Sequence, residues 1–226
     1  MIEKSRPSGQ SESVENFLKA IYALQQKSER VSTNDLAEAL KISAPSVTDM
    51  ARRLVETGLV DYRKYYGVRL TPQGEAIALK VIRRHRLIEL YLVEELGYAL
   101  REVHNDAEDL EHVVSDHFMA AIDSKLGHPQ IDPHGDPIPS VEGVITRRDL
   151  TDLTRLEIGA PAIVSRLISS NQDVLQHILE RGFALGASVE VTARDPFNGP
   201  VTALVNGQKA VIGYNVATCI LVEPVE

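Results

Sequence analysis

The stretch from Val31 to Gly74, VSTNDLAEALKISAPSVTDMARRLVETGLVDYRKYYGVRLTPQG, decides the fold of the N-terminal part. Ser32, Thr33, Asn34 and Asp35 offer capping oxygens ahead of Leu36, Ala37, Leu40 and Ile42, whose spacing predicts a short helix. Ser43-Ala44-Pro45-Ser46 then restarts the chain, because proline fits only the first turn of a helix. Val47, Met50, Ala51, Leu54 and Val55 continue at helical spacing until Gly58. Leu59 to Arg63 and Val68 to Leu70 read as two short strands, with Lys64-Tyr65-Tyr66-Gly67 turning between them. Upstream, Val14, Phe17, Leu18, Ile21, Tyr22 and Leu24 predict a first helix from Ser13, after a polar arm over residues 1 to 12. Three helices followed by a basic hairpin make a winged helix-turn-helix.

Such a module needs small or polar groups at the leading end of its second short helix, which must enter a groove about 12 Å wide. Ser43, Pro45, Ser46, Thr48 and Asp49 meet that need. Arg52 and Arg53 on the same helix, with Arg63, Lys64 and Arg69 on the hairpin, are the expected phosphate contacts with double-stranded DNA. The charge distribution agrees. Residues 1 to 86 carry 15 Lys and Arg against 10 Asp and Glu, or +5, whereas residues 87 to 226 carry 9 against 22, or −13. The competing reading is a small helical core whose charges are only solvated.

Beyond the hairpin, Thr71-Pro72 starts a long helix whose stripe, Ile77, Val81, Ile82, Leu87, Leu90, Leu92 and Val93, runs to about Leu96. Two acidic, histidine-bearing helices are expected over Leu100 to Val114 and Ser115 to Leu126. The segment His128 to Pro139, interrupted by five prolines or glycines, reads as a connector. From Arg148 onward, short apolar runs, the last over Ala217 to Val222, broken by Gly186, Asn198-Gly199-Pro200 and Asn206-Gly207 predict a small β-barrel, with one helix over Asp173 to Glu180. The expected class is mainly α with a C-terminal barrel. The expected division is residues 1–73 for the DNA-binding domain, 74–140 for a helical metal-binding and dimerisation domain, and 148–226 for the barrel.

Six of the seven histidines lie between residues 85 and 134. His104, Glu108, Glu111 and His112 fall at i, i+4, i+7 and i+8, which places them along one helix face, and His85 and Glu89 form a second i, i+4 pair. Carboxylates and imidazoles gathered this way without a counter-ion repel or stay poorly solvated, and a divalent cation supplies the missing charge. Mixed oxygen and imidazole donors without thiolate suit six-coordinate Mn²⁺ first and Fe²⁺ second, with two ions per subunit. Zn²⁺, Ni²⁺ or Co²⁺ should bind the same groups in vitro. The bland alternative is a solvated acidic face.

An enzyme is not expected. Glu108-Asp109-Leu110-Glu111-His112 resembles an inverted zincin motif but lacks its first histidine, and there is no Gly-x-Ser-x-Gly elbow or phosphate-cradling glycine loop. The 226 residues are 43% hydrophobic and 25% charged with a net charge of −8, which excludes wholesale disorder. No apolar run approaches the roughly 18 residues of a membrane span. The polar start implies no secretory signal, so the cytosol is the expected compartment, and no membrane partner is expected. A single cysteine, Cys219, excludes an internal disulfide and a cysteine-based zinc site.

These residues together resemble the diphtheria toxin repressor and manganese transport regulator family of metal-activated transcriptional repressors. The marks are Glu15 to Tyr22, Ser46-Val47-Thr48, Leu70 to Gly74, Arg84 to Glu89, Glu108 to His112 and Pro133 to Pro139. The resemblance implies a homodimer that binds operator DNA when metal is bound, and an SH3-like (FeoA-like) third domain. It implies a primary metal site of Asn16, Glu108, Glu111 and His112. Asn16 departs from the family's usual Met or Asp, and Lys19 stands where manganese regulators can add a Glu. The resemblance also implies an ancillary site of His85, Glu89 and His104, with Asn171, Gln172 and Asp173 as candidate ligands from the barrel. Val174 falls where the family commonly has Gln. Arg86 falls at the family's anion-contact position. An Fe²⁺-responsive repressor and a metal-independent winged-helix protein are the alternative readings.

Overall fold

The structure, a computed structural model, describes residues 11–146, 148–169 and 171–225. The arm expected up to residue 10 lies outside the described residues. The chain divides into two compact units. The first contains the described residues of Met1–Ile88 with Glu108–Gly127 and Pro139–Val144. The second contains Glu89–Ala107, His128–Ile138 and the described residues of Ile145–Glu226.

In the first unit, helices α1 (Glu12–Gln25), α2 (Thr33–Leu40) and α3 (Ala44–Glu56) precede strands β1 (Val60–Arg63) and β2 (Gly67–Leu70). The caps lie where the sequence places them. The Ser32 hydroxyl accepts the Asp35 amide at 3.0 Å and the Ser43 hydroxyl accepts the Ser46 amide at 3.2 Å, each satisfying a donor that a helix start leaves unpaired. Lys41 closes α2 in the left-handed region at φ 54°. Phe17, Leu18, Ile21, Leu36, Val47, Ala51, Leu54, Leu59 and Val68 form the buried core. Each large apolar side chain sequestered there contributes roughly 1.5–3 kcal/mol.

The hairpin pairs Val60 with Leu70 and Arg63 with Gly67. Val68 also exchanges two backbone hydrogen bonds of 2.8 Å with Val31, which stitches the hairpin to the chain ahead of α2. Gly67 makes that approach possible: at φ +100°, an added Cβ would lie 2.3 Å from the Val31 carbonyl oxygen.

Helix α4 (Pro72–Leu96) follows as expected. Helix α5 covers only Val103–Glu111 and α6 covers Asp116–Lys125, shorter than the predicted Leu100 to Val114 and Ser115 to Leu126. The reason is local. Ser115 accepts the Phe118 amide and starts α6, so the residues before it form a turn. His112 therefore lies just past the end of α5, a correction to its expected place on that helix.

In the second unit, β3 (Thr151–Asp152), β4 (Pro161–Leu167), β5 (Ser188–Arg194), β6 (Val201–Val205), β7 (Gln208–Ile212) and β8 (Ile220–Pro224) form one antiparallel sheet. Its order is β3-β8-β4-β5-β6-β7, with β3 and β7 at the two ends of the ladder. Barrel closure between them is not seen among the described residues. The run predicted as strand from Ala217 begins only at Ile220, because Gly213 opens a helical turn, α8 (Tyr214–Ala217). Helix α7 (Gln172–Glu180) packs Leu175 and Ile178 into a core with Val164, Phe183, Val191, Val201 and Val222.

Most of the expected connector, His128–Ile138, belongs to this unit and is bonded within it. Asp132 Oδ1 accepts the amides of His134 and Asp136, the Leu167 amide donates to the His134 carbonyl at 2.8 Å, and Arg166 pairs with Asp136. No helix of the described residues is long and apolar enough to cross a membrane.

Candidate metal centre and nucleic-acid interface

The candidate DNA-contacting residues lie on α3, at its cap, and on the hairpin. Ser43, Pro45, Ser46, Asp49, Arg52, Arg53, Arg63 and Lys64 are exposed, and Thr48 is half-buried with its hydroxyl donating to the Ala44 carbonyl at 3.1 Å. Arg52 makes a loose 3.9 Å contact with Asp49, and Lys64 lies over the Tyr65 ring at 4.9 Å. Arg69 is engaged otherwise. Its guanidinium donates to Asp61 at 3.1 Å and to Glu29 at 3.0 Å, and Arg30 pairs with the same Asp61 oxygen. The hydrogen bond from Arg30, with the charges of Arg30 and Arg63 beside it, holds the Asp61 carboxyl below its ordinary value.

The first unit also gathers a polar cluster around Glu111, whose side chain is 0% exposed. Burying a carboxylate requires compensating charge and hydrogen bonds, and this one has several. Lys19 Nζ from α1 donates to both of its oxygens, at 2.8 and 2.9 Å. His85 Nδ1 from α4 lies 2.5 Å from Oε2, and His112 Nε2 lies 3.3 Å from Oε1. Burial alone would push the Glu111 carboxyl up. The His85 hydrogen bond and the Lys19 charge overcome that and leave it below its ordinary value.

His112 is held from both sides by α1. Its Nδ1 lies 2.6 Å from Glu15 Oε2, and its Nε2 lies 3.0 Å from Asn16 Oδ1. Glu108 is half-exposed, 3.8 Å from Lys19. The residues expected from the resemblance, Asn16, Glu108, Glu111 and His112, thus lie in one neighbourhood. Three helices supply the cluster, and α1 belongs to the helix-turn-helix.

One ligand atom from each of His85, Glu89 and His104, the expected ancillary group, lies within 4.8 Å of the others, and His85 also turns Nδ1 to Glu111. Glu15 and Lys19 were not singled out as functional, since an acid and a lysine at i, i+4 normally mark a solvated helix face. In the second unit, the buried Glu89 carboxylate lies 3.3 Å from His104 Nδ1 and 3.9 Å from His134 Nε2. His134 was not among the predicted ligands. Asn171 caps α7, its Oδ1 accepting the amides of Asp173 at 2.9 Å and Val174 at 3.3 Å. Gln172 and Asp173 are exposed at the start of that helix, and Arg86 is half-buried on α4.

Oxygen and imidazole donors around a buried carboxylate, with neither thiolate nor an activated nucleophile, fit a divalent cation. A helix-turn-helix head joined to such a centre defines a metal-responsive DNA-binding regulator. Comparison with known proteins identifies which kind. The model of the iron dependent repressor N-terminal DNA binding domain matches residues 10–68, that of the iron dependent repressor metal binding and dimerisation domain matches 71–140, and that of the FeoA domain matches 151–224. The iron-dependent repressor IdeR of Mycobacterium tuberculosis is 30% identical over 227 residues, covering 95% of this chain and 98% of the relative. The diphtheria toxin repressor of Corynebacterium diphtheriae is 27% identical over 222 residues, covering 94% and 97%.

Among solved structures, a manganese-dependent transcriptional repressor in complex with manganese superposes with a TM-score of 0.88 at 39% identity, covering 94% of this chain and all of that one. ScaR with bound Zn²⁺ gives 0.79 at 31% identity, covering 94% and 99%. The chain belongs to the iron-dependent repressor family of metal-dependent transcriptional repressors. These relatives are repressors and not enzymes, as the sequence implies.

Proposed function

We propose that this protein is a Mn²⁺-activated repressor that binds operator DNA as a homodimer and controls genes of metal-ion homeostasis. The observation that carries the reading is the fully buried Glu111, surrounded by groups from α1, α4 and the turn after α5. Asn16, Glu108, Glu111 and His112 are the residues that would hold the first ion. His85, Glu89 and His104, with one ligand atom each within 4.8 Å of the others, are the candidates for a second, with Asn171 and Asp173 as the candidates to complete it. When bound, the ion supplies a double positive charge and several directional bonds to oxygen and nitrogen.

The chain's own residues do the rest. Asn16 and Glu15 tie α1 to His112, so whatever fixes Glu111 and His112 also fixes the first helix of the reading head. Arg52, Arg53, Arg63 and Lys64 engage phosphates, and Ser43, Pro45, Ser46, Thr48 and Asp49 face the bases. Because paired half-sites recur at about one helical turn or its multiples, head spacing sets how many contacts form together. Exposed Leu110, Val113 and Phe118 support a second copy as the partner of the helical region. The division into 1–73, 74–140 and 148–226, the last an SH3-like barrel, is part of this reading, as is Arg86 as an anion contact.

Hard oxygen donors at Asn16, Glu108 and Glu111 favour Mn²⁺, while the iron-named relatives keep Fe²⁺ as the second reading. The test is a gel shift with operator DNA across Mn²⁺, Fe²⁺ and chelator. The parent should shift only with metal. Glu108→Ala with Glu111→Ala should lose that response, and a double variant that binds as tightly and as independently of Mn²⁺ as the parent refutes the proposal.

A further inference from the structure

We propose that Lys19 is a tethered counter-cation that competes with the divalent ion for Glu111, so that metal uptake at the primary site is an exchange of one cation for another. The inference rests on the metal-dependent reading above and specifies how that site is set. Both Glu111 oxygens accept from the Lys19 ammonium, at 2.8 and 2.9 Å, and the same nitrogen lies 3.3 Å from His85 Nδ1 and 3.8 Å from Glu108 Oε1. His85 Nδ1 lies 2.5 Å and His112 Nε2 3.3 Å from the same carboxylate.

A divalent ion bonded to either Glu111 oxygen therefore shares it with Lys19 or displaces the ammonium. Two cations on one buried carboxylate repel strongly where water is excluded. The lysine has a way out. Its side chain is 20% exposed, against 0% for Glu111, and its flexible stem lets the ammonium swing to water while the carboxylate stays. Glu111 thus remains charged and ordered throughout, and the net gain on exchange is one positive charge instead of two. The lysine raises the ion concentration at which the site fills, and it links α1 to the end of α5 through a bond of the chain's own.

The experiment titrates Mn²⁺ into the full chain and follows free Mn²⁺ by electron paramagnetic resonance. Lys19→Gln and Lys19→Met should tighten primary-site affinity by about tenfold or more, because the competing charge is gone, and Lys19→Arg should stay near the parent. Unchanged or weaker affinity in the Gln and Met variants, with the parent binding normally, overturns the role of Lys19 and leaves the metal reading standing. No binding by the parent or any variant removes both.

A measurement on the parent alone avoids any folding defect of the variants. Reductive methylation, read by mass spectrometry, should label Lys19 more strongly relative to Lys41 when Mn²⁺ is present. Labelling of Lys19 that stays constant or falls on adding Mn²⁺ overturns the exchange.

Discussion

The Nδ1 of His112 lies 2.6 Å from a carboxylate oxygen of Glu15, while its Nε2 faces Asn16 and Glu111 at 3.0 and 3.3 Å. A carboxylate on one ring nitrogen fixes the tautomer that leaves the other nitrogen's lone pair for a cation. Glu15→Gln should weaken Mn²⁺ binding by about tenfold, within the range seen when such orienting partners are removed. Calorimetric titration checks it, and an unaltered dissociation constant rules out an orienting role.

Arg52→Ala and Arg53→Ala should weaken operator and non-operator duplexes alike, since phosphate contacts carry no sequence information. Each should also reduce the slope of log affinity against log salt by about 0.9 if it makes one phosphate contact. Fluorescence anisotropy over a salt series measures both. Arg69→Ala should behave differently, lowering thermal stability more than the salt slope, because its guanidinium is committed to Asp61 and Glu29.

Asp61 gives a pH signature. Its folded value is lowered from the ordinary 3.8, so it binds protons less readily when folded. Its stabilising contribution is complete above that ordinary value and is lost as pH falls through the lowered folded one. Asp61→Asn should therefore cost stability at neutral pH and narrow the gap to the parent under strong acid. Urea unfolding of both proteins at several pH values tests the sign, and a gap that widens with acid contradicts it.

Gly67→Ala should destabilise the first unit by about 2 kcal/mol or more, combining a left-handed backbone position with a displaced close contact. The added Cβ meets the Val31 carbonyl oxygen at 2.3 Å. Gly97→Ala is the control: its φ is +72°, yet a Cβ there meets nothing within 4 Å, so it should cost less. Denaturant midpoints compare the two.

The helix-turn-helix and hairpin were legible because their signals are local. Ser32, Ser43 and Pro45 mark helix starts by chemistry that acts within one turn, and the buried positions of α1 to α3 recur at helical spacing. Glu108, Glu111 and His112 were legible as a group for the same reason. Glu15 and Lys19 were not, because their significance arises from partners more than ninety residues away, Lys19 reaching Glu111 and Glu15 reaching His112. The connector was legible only in part: proline and glycine signal the irregular backbone it has, but not that Asp132 and Asp136 anchor it. The late start of β8 escaped because Ala217 and Cys219 suit a strand as well as the turn that contains them.

The pair of hydrogen bonds between Val31 and Val68 fixes the second strand of the hairpin just past its turn, whereas Tyr65 and Tyr66 in the turn are widely exposed. Length variation is therefore tolerable in the turn and ruinous in the strand that follows it. Anyone grafting a longer or differently charged finger onto this scaffold should open the chain at the tyrosine pair and leave the glycine that follows them untouched.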